Sequence, residues 1–425
     1  MSPQFHILLI ALLGFTQVQA TENTYTLQGL TETALKNSPF LKQSQSLWRA
    51  ELHKIKHVKR LPDPKIQVSY FLDEVETRVG PQEGALGITQ SIPWLTKLGL
   101  QKDFQSQKAK ASFQSFEAKK LQIKNKITKL YLQDRYLLSA IKTNQDNRQI
   151  LKSIEPLIRQ KIRLGANAQD LIKVQIELAK ISEKISLLKK QRKIINTQLV
   201  QIINPQSKSP IKLNHQSLIN AQFPDEKQLL KLSQNKNPWL IRQNELLKQS
   251  SKQKELANEA VMPDFSIGLK TIFTGKSSSN VNDNGKDPII ITFGFSIPLD
   301  QSKYNYQKAH IAEQHQASYW AKVDLTNQIH SSIRQSLFQI EDLDRNIKLY
   351  SKTLLPKVTE SIQLSQQSYR NNKSSFIDIL DLIRQNLAFS LQIEKDRYDR
   401  LTHIAELEKF SASTFISTSL KTEQK

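Results

Sequence analysis

The sequence predicts a mainly α chain with a small β part, built as two copies of one unit in which a β-hairpin precedes a long helical hairpin. Three observations carry this reading. Short motifs recur in the same order at an offset of about 200 residues. Two pairs of segments alternate apolar and polar side chains at period two. Long stretches keep the four-three apolar spacing of a coiled-coil seam.

The repeat is seen in three places. Asn37-Ser38-Pro39-Phe40-Leu41 is answered by Asn237-Pro238-Trp239-Leu240, Leu61-Pro62-Asp63 by Met262-Pro263-Asp264, and Ser91-Ile92-Pro93 by Ser296-Ile297-Pro298. This divides the chain into a secretion signal (1–20), a first repeat (21–215), a second repeat (216–410) and a polar C-terminal tail (411–425). The signal rests on a short apolar core from Ile7 to Phe15 and small residues at Val18-Gln19-Ala20, although no Lys or Arg precedes the core. Nothing after it is apolar enough to span a bilayer as a helix, so a membrane could be crossed only by strands.

Each copy opens with a predicted helix, Thr31–Lys59 and Pro224–Ala260, stopped by a proline that lacks an N–H donor. Strands follow. Ile66, Val68, Tyr70 and Leu72 alternate with Lys65, Gln67, Ser69 and Phe71; Leu86, Ile88 and Ile92 alternate with Gly87, Thr89 and Ser91. The second copy repeats this with Phe265, Ile267, Leu269 and Thr271, then Ile289, Ile291, Phe293, Phe295 and Ile297. Such segments match tilted membrane strands of about 9–11 residues. Four strands cannot close, since about eight make the smallest membrane barrel, so the chain must oligomerise to remove its edges.

Helical hairpins come next. From about Leu98 to Arg163, Ile123, Ile127, Leu130, Leu137 and Ile141 form a seam with Asp134 as a polar gap. The return carries Val174, Leu178, Ile181, Ile185, Leu188, Ile195, Leu199 and Ile202, with Arg192 at one seam position. The second hairpin runs from about Lys303 to Tyr369 and back from Ser375 to Phe410. Pro156 and Pro356 fall late in the outgoing helices, where a bend is expected. The tips read Arg163-Leu164-Gly165 and Asn372-Lys373-Ser374, with Gly165 and Asn372 suited to a left-handed helix terminus.

These features together resemble the TolC-type outer-membrane efflux family, across nearly the whole mature chain. The resemblance implies a homotrimer whose strands form one barrel in outer-membrane lipid and whose helices form a tunnel into the periplasm. It implies a passive exit duct, not an enzyme, joined through a periplasmic adaptor at the tips to an inner-membrane pump. It assigns Asp170 and Tyr369 to a closing link, and Asp378 and Asp381 to an aspartate ring at the mouth. The basic partner of that link falls on Ser374, with Lys373 beside it, which departs from the family pattern. Asp378 is equally suited to stabilise a helix N-terminus.

Val75-Glu76-Thr77-Arg78-Val79-Gly80-Pro81-Gln82 with Gln90-Ser91-Ile92-Pro93-Trp94 resembles the heavy-metal branch, which implies metal cations as cargo. Drug or solute efflux, a type I secretion duct and a soluble periplasmic coiled-coil adaptor are the competing readings.

The formal charge of +22 is spread along the helices among acidic residues, as on a solvated helix surface and not in a nucleic-acid stripe. The chain has no cysteine, which excludes disulfides and thiolate sites. His53 with His57, and His310 with His315, lack a third ligand in sequence. No phosphate loop or hydrolase motif is present, and no cofactor is expected.

Overall fold

The computed structural model describes residues 24–203, 211–215, 223–278 and 280–416. The segment read as a secretion signal lies outside the described residues, as do 204–210, 216–222 and the last nine residues, 417–425. A short strand β1 (Thr24–Tyr25) leads into α1 (Leu27–Asn37) and α2 (Pro39–Val58). Strands β2 (Lys65–Val75) and β3 (Gln82–Ile92) precede the helical hairpin α3 (Leu95–Arg163) and α4 (Gln169–Ile203). Strand β4 (Lys212–Leu213) pairs in parallel with β1.

The second copy then follows the first. It comprises α5 (Glu226–Lys236), α6 (Pro238–Glu259), β5 (Phe265–Thr274) and β6 (Ile289–Phe295). Its hairpin is α7 (Gln301–Leu349), a π-helical turn (Tyr350–Leu354), α8 (Leu355–Arg370) and α9 (Phe376–Ser411). The 69-residue α3 is roughly 100 Å long at about 1.5 Å per residue.

Four details correct the sequence reading. Each opening helix is two helices, broken at Ser38 and Asn237. The following Pro39 and Pro238 push the preceding residue out of the helical region, to ψ 120° and 116°. Asn237 turns the break to use: its side chain accepts from the N–H groups of Trp239 and Leu240, and its Nδ2 donates to Phe410 O at 2.8 Å. Helix α3 runs unbroken through Pro156, whereas the second copy has a π turn just ahead of Pro356. A proline removes one N–H and crowds the carbonyl four residues back, here Lys352, which lies inside that turn. Strand β6 stops at Phe295, short of Ile297. The tail is not wholly polar and free, because Phe415 and Ile416 fold back onto the core and their N–H groups donate to Glu408 Oε1.

The core is a continuous apolar seam between the long helices. Ile123, Ile127, Leu130, Leu137 and Ile141 are buried against Val174, Ile181, Ile185, Leu188, Ile195 and Leu199. The two polar interruptions of this seam meet. Arg192 Nε and Nη2 donate to Asp134 Oδ1 and Oδ2 at 2.8 and 3.0 Å. His215, just after β4, adds Nε2 at 2.8 Å from Oδ2, and its ring lies 5.0 Å from that of Tyr131. Burial pushes the Asp134 carboxyl up, but the bonds from His215 and Arg192 outweigh it and hold it below its ordinary value.

One sheet joins the copies, in the order β2-β3-β5-β6, all antiparallel. The register stacks the apolar side chains in rows on one face: Ile66–Ile88–Leu269–Ile291, and Ile92–Phe265–Phe295. The other face carries rows such as Lys65–Thr89–Gly268–Thr292 and Ser91–Ser266–Gly294. Small and hydroxyl residues predominate there. The apolar face is bare: Val68 is 76% exposed, Leu72 92% and Phe293 75%.

The paired Asp134 favours folding with a definite sign. Its folded value lies below the ordinary 3.8, so its contribution is complete above that value and is lost as pH falls through the lower folded value. The stability that Asp134 contributes to thermal melts should therefore be lost in the acid range below about pH 4, and Asp134→Asn should flatten the pH dependence there. At neutral pH, Arg192→Met should cost about 1–3 kcal/mol because it strips a buried carboxylate of two donors. An unchanged melting profile in both variants would contradict this account.

Candidate channel and tip gate

Both hairpins reverse through a residue with positive φ, Gly165 at 96° and Asn372 at 59°. The left-handed residue lets the chain bond back to the last helical carbonyls. Ala166 N donates to Lys161 O at 3.0 Å, and Lys373 N to Ser368 O at 2.8 Å. Arg163, Leu164, Asn372 and Lys373 are exposed at the tips, and Leu164 is 81% exposed. An open groove of about 790 Å³ lies beside the turns, lined by Pro156, Leu157, Gln160, Leu164, Arg370 and Asn372 among others.

The tips are tied together across the repeat. Tyr369 is buried, and its hydroxyl donates to Asp170 Oδ2 at 3.2 Å. Burial, reinforced by the Asp170 charge and hydrogen bond, pushes the phenol up to about 12, so it stays a donor through the physiological range. Lys173 lies 3.3 Å from Asp170 on the same helix.

The basic member of the link is Lys161, a residue the sequence reading did not single out. Its Nζ lies 3.9 Å from the centre of the Tyr369 ring and donates to Tyr369 O. It also reaches Asn372 Oδ1 at 2.6 Å. Neither candidate after the turn joins the link. Ser374 Oγ donates to Ser365 O at 3.2 Å, and Lys373 points into solvent. A cation over an aromatic face with two oxygen acceptors is a specific arrangement, worth about 0.5–2 kcal/mol for the ring contact alone. No motif announced Lys161, because it precedes the turn in the copy opposite Tyr369.

The two aspartates have different surroundings. Asp378 completes a capping box: Ser375 N donates to its Oδ2 at 3.0 Å, and Asp378 N donates to Ser375 Oγ at 3.3 Å. Asp381 is exposed and pairs with Arg384 at 3.2 Å. Arg384 also reaches across to Glu177 of α4 at 2.5 Å, a second bridge between the hairpins that sequence reading missed. Among the described residues, no group of three His, Cys, Asp or Glu side chains could hold a metal ion, and no helix is long and apolar enough to cross a membrane.

With this geometry in hand, comparison with solved structures is decisive for the fold. The chain superposes on CusC with a TM-score of 0.78 at 13% identity, covering 91% of this chain and 92% of that one. It matches the outer membrane protein VceC of Vibrio cholerae at 0.74 and 12% identity, covering 92% and 96%. It matches the open-state MtrE outer membrane channel of Neisseria gonorrhoeae at 0.73 and 14% identity, covering 91% and 89%. This is the TolC-type channel fold. No family model and no curated protein matches the sequence. In that fold the bare rows of the sheet and the linked helix tips stand at opposite ends of one elongated chain.

Lys161 and Lys373 make a discriminating pair. Lys161→Met should loosen the tips and speed amide hydrogen exchange in the turn around Tyr369 and Asn372, as should Tyr369→Phe, while Lys373→Met should leave that exchange unchanged. Equal effects at both lysines would reject the link described above.

Proposed function

We propose that the chain is the passive outer-membrane exit duct of a tripartite efflux system, working as a homotrimer. The observation that carries this reading is the sheet: its apolar rows have no protein to cover them, and its other face is richer in small and polar side chains. That division suits strands between lipid and a water-filled lumen. Three chains would close one barrel and bring the long helices together as a tunnel. The exposed tip turns, with Arg163, Leu164, Gly165, Asn372, Lys373 and Ser374, would meet a periplasmic adaptor. An inner-membrane pump would supply the energy.

The mouth of the tunnel would gather Asp378 and Asp381 from each subunit, attracting cations and repelling anions. Such a ring would be tempered, since Arg384 offsets Asp381 and the capping box engages Asp378. The proposed preference is therefore for cations in general. Heavy-metal cargo rests on the Val75–Gln82 and Gln90–Trp94 resemblance, and the superposition on CusC is matched within 0.01 in TM-score by OprN.

Single-channel recording of the reconstituted protein tests the reading. A cation-selective conductance is expected. Asp378→Asn with Asp381→Asn should move the reversal potential toward zero, and Arg384→Gln should move it the other way by freeing Asp381 and Glu177. A protein that releases into water without detergent and conducts nothing would refute the channel.

A further inference from the structure

The seam between β3 and β5 shows how the copies hold each other, and its counterpart at the free edges is vacant. Strand β3 ends at Ile92 opposite Phe265. Just beyond, Asp264 Oδ1 accepts from Trp94 N at 3.0 Å and pairs with Lys97 Nζ at 2.8 Å. Trp94 has no side-chain cap of its own, so the second copy caps the helix of the first. Lys97 also donates to Met262 O at 2.8 Å.

The repeat supplies the same pieces again. Asp63 in Leu61-Pro62-Asp63 stands where Asp264 stands in Met262-Pro263-Asp264. By helix position Lys303, the third residue of α7, answers Lys97, the third of α3; counted from Pro93 and Pro298 the counterpart of Lys97 is Ser302, one residue earlier. Asp63 and Lys303 are both exposed; among the described residues no salt bridge holds either, although the Asp300 charge and the Tyr304 ring, 5.8 Å away, lie near the Lys303 ammonium. They cannot meet within one chain, because Asp63 leads into β2 and Lys303 follows β6, at opposite edges of the sheet. The same edges carry uncovered apolar groups on the adjoining helices: Leu47 and Leu52 on α2, and Tyr306 and Trp320 on α7.

We propose that Asp63 of one subunit clamps Lys303 of a second copy of this chain, so that the contact between subunits repeats the contact between repeats. This rests on the closed-barrel reading above. A head-to-tail contact of two different edges generates a ring when its rotation closes, as the barrel reading requires. One difference follows from the sequence. Asp300 already caps α7, accepting from Ser302 and Lys303 N–H at 3.1 and 3.2 Å. Asp63 therefore engages the Lys303 ammonium and not the helix N–H groups.

The absence of native cysteine allows a clean test. Asp63→Cys with Lys303→Cys, treated with a short bismaleimide in reconstituted membranes, should give covalent dimers and closed trimers, while either single variant should not. Lys97→Cys with Asp264→Cys should cross-link only within a chain. Intact trimers by native mass that yield only monomers on denaturation would overturn the clamp and leave the channel reading standing; a monomeric protein would overturn both. In the uncross-linked protein, Asp63→Lys should lower the temperature at which the detergent-resistant oligomer dissociates, and adding Lys303→Asp should restore it. Failure of that rescue would also overturn the clamp.

Discussion

A four-stranded sheet with two open edges and an uncovered apolar face is the constraint on which everything else depends. Each edge strand leaves a row of unpaired N–H and C=O groups, and each such group costs several kcal/mol in hydrocarbon unless it is bonded. The apolar rows Ile66–Ile88–Leu269–Ile291 and Ile92–Phe265–Phe295 find no helix to cover them. A lone chain therefore satisfies neither water nor lipid. On the proposed reading, further copies would satisfy the edges and lipid would cover the face.

The helices answer a different requirement, reach. Their stability comes from the seam and from a few cross-ties placed where the seam is interrupted. Asp134 with Arg192 and His215 fills the middle, and Tyr369, Asp170, Lys161 and Asn372 hold the far end. Glu177 and Arg384 add a tie between them. The copies share this plan but not its details. Only the second copy carries a π turn before its late proline, and its tip turns on Asn372 where the first uses Gly165.

Much of this was legible in the residues. Period-two alternation located the four strands of the main sheet but not the two-residue β1 and β4, and the polar interruptions Asp134 and Arg192 were visible as gaps in the two seams. That the gaps face each other was not legible, because seam periodicity sets which face a residue occupies and not its level against the partner helix. His215 was invisible for a similar reason, since a residue outside the long helices and the sheet carries no periodic signal. The breaks at Ser38 and Asn237 were present in the sequence as prolines, but the apolar pattern runs smoothly across them. At the tips, matching by motif found Tyr369 and Asp170 and placed the cation at Ser374 or Lys373. Lys161 supplies it instead from the opposite copy, where sequence distance gives no hint of proximity.

Amide hydrogen exchange on the membrane-reconstituted protein tests the central claim most directly. Closure by neighbouring copies predicts that the edge strands Lys65–Val75 and Ile289–Phe295 are protected as strongly as the inner strands Gln82–Ile92 and Phe265–Thr274. Rapid exchange at the outward amides of the two edge strands, with protection confined to the inner pair, would contradict it.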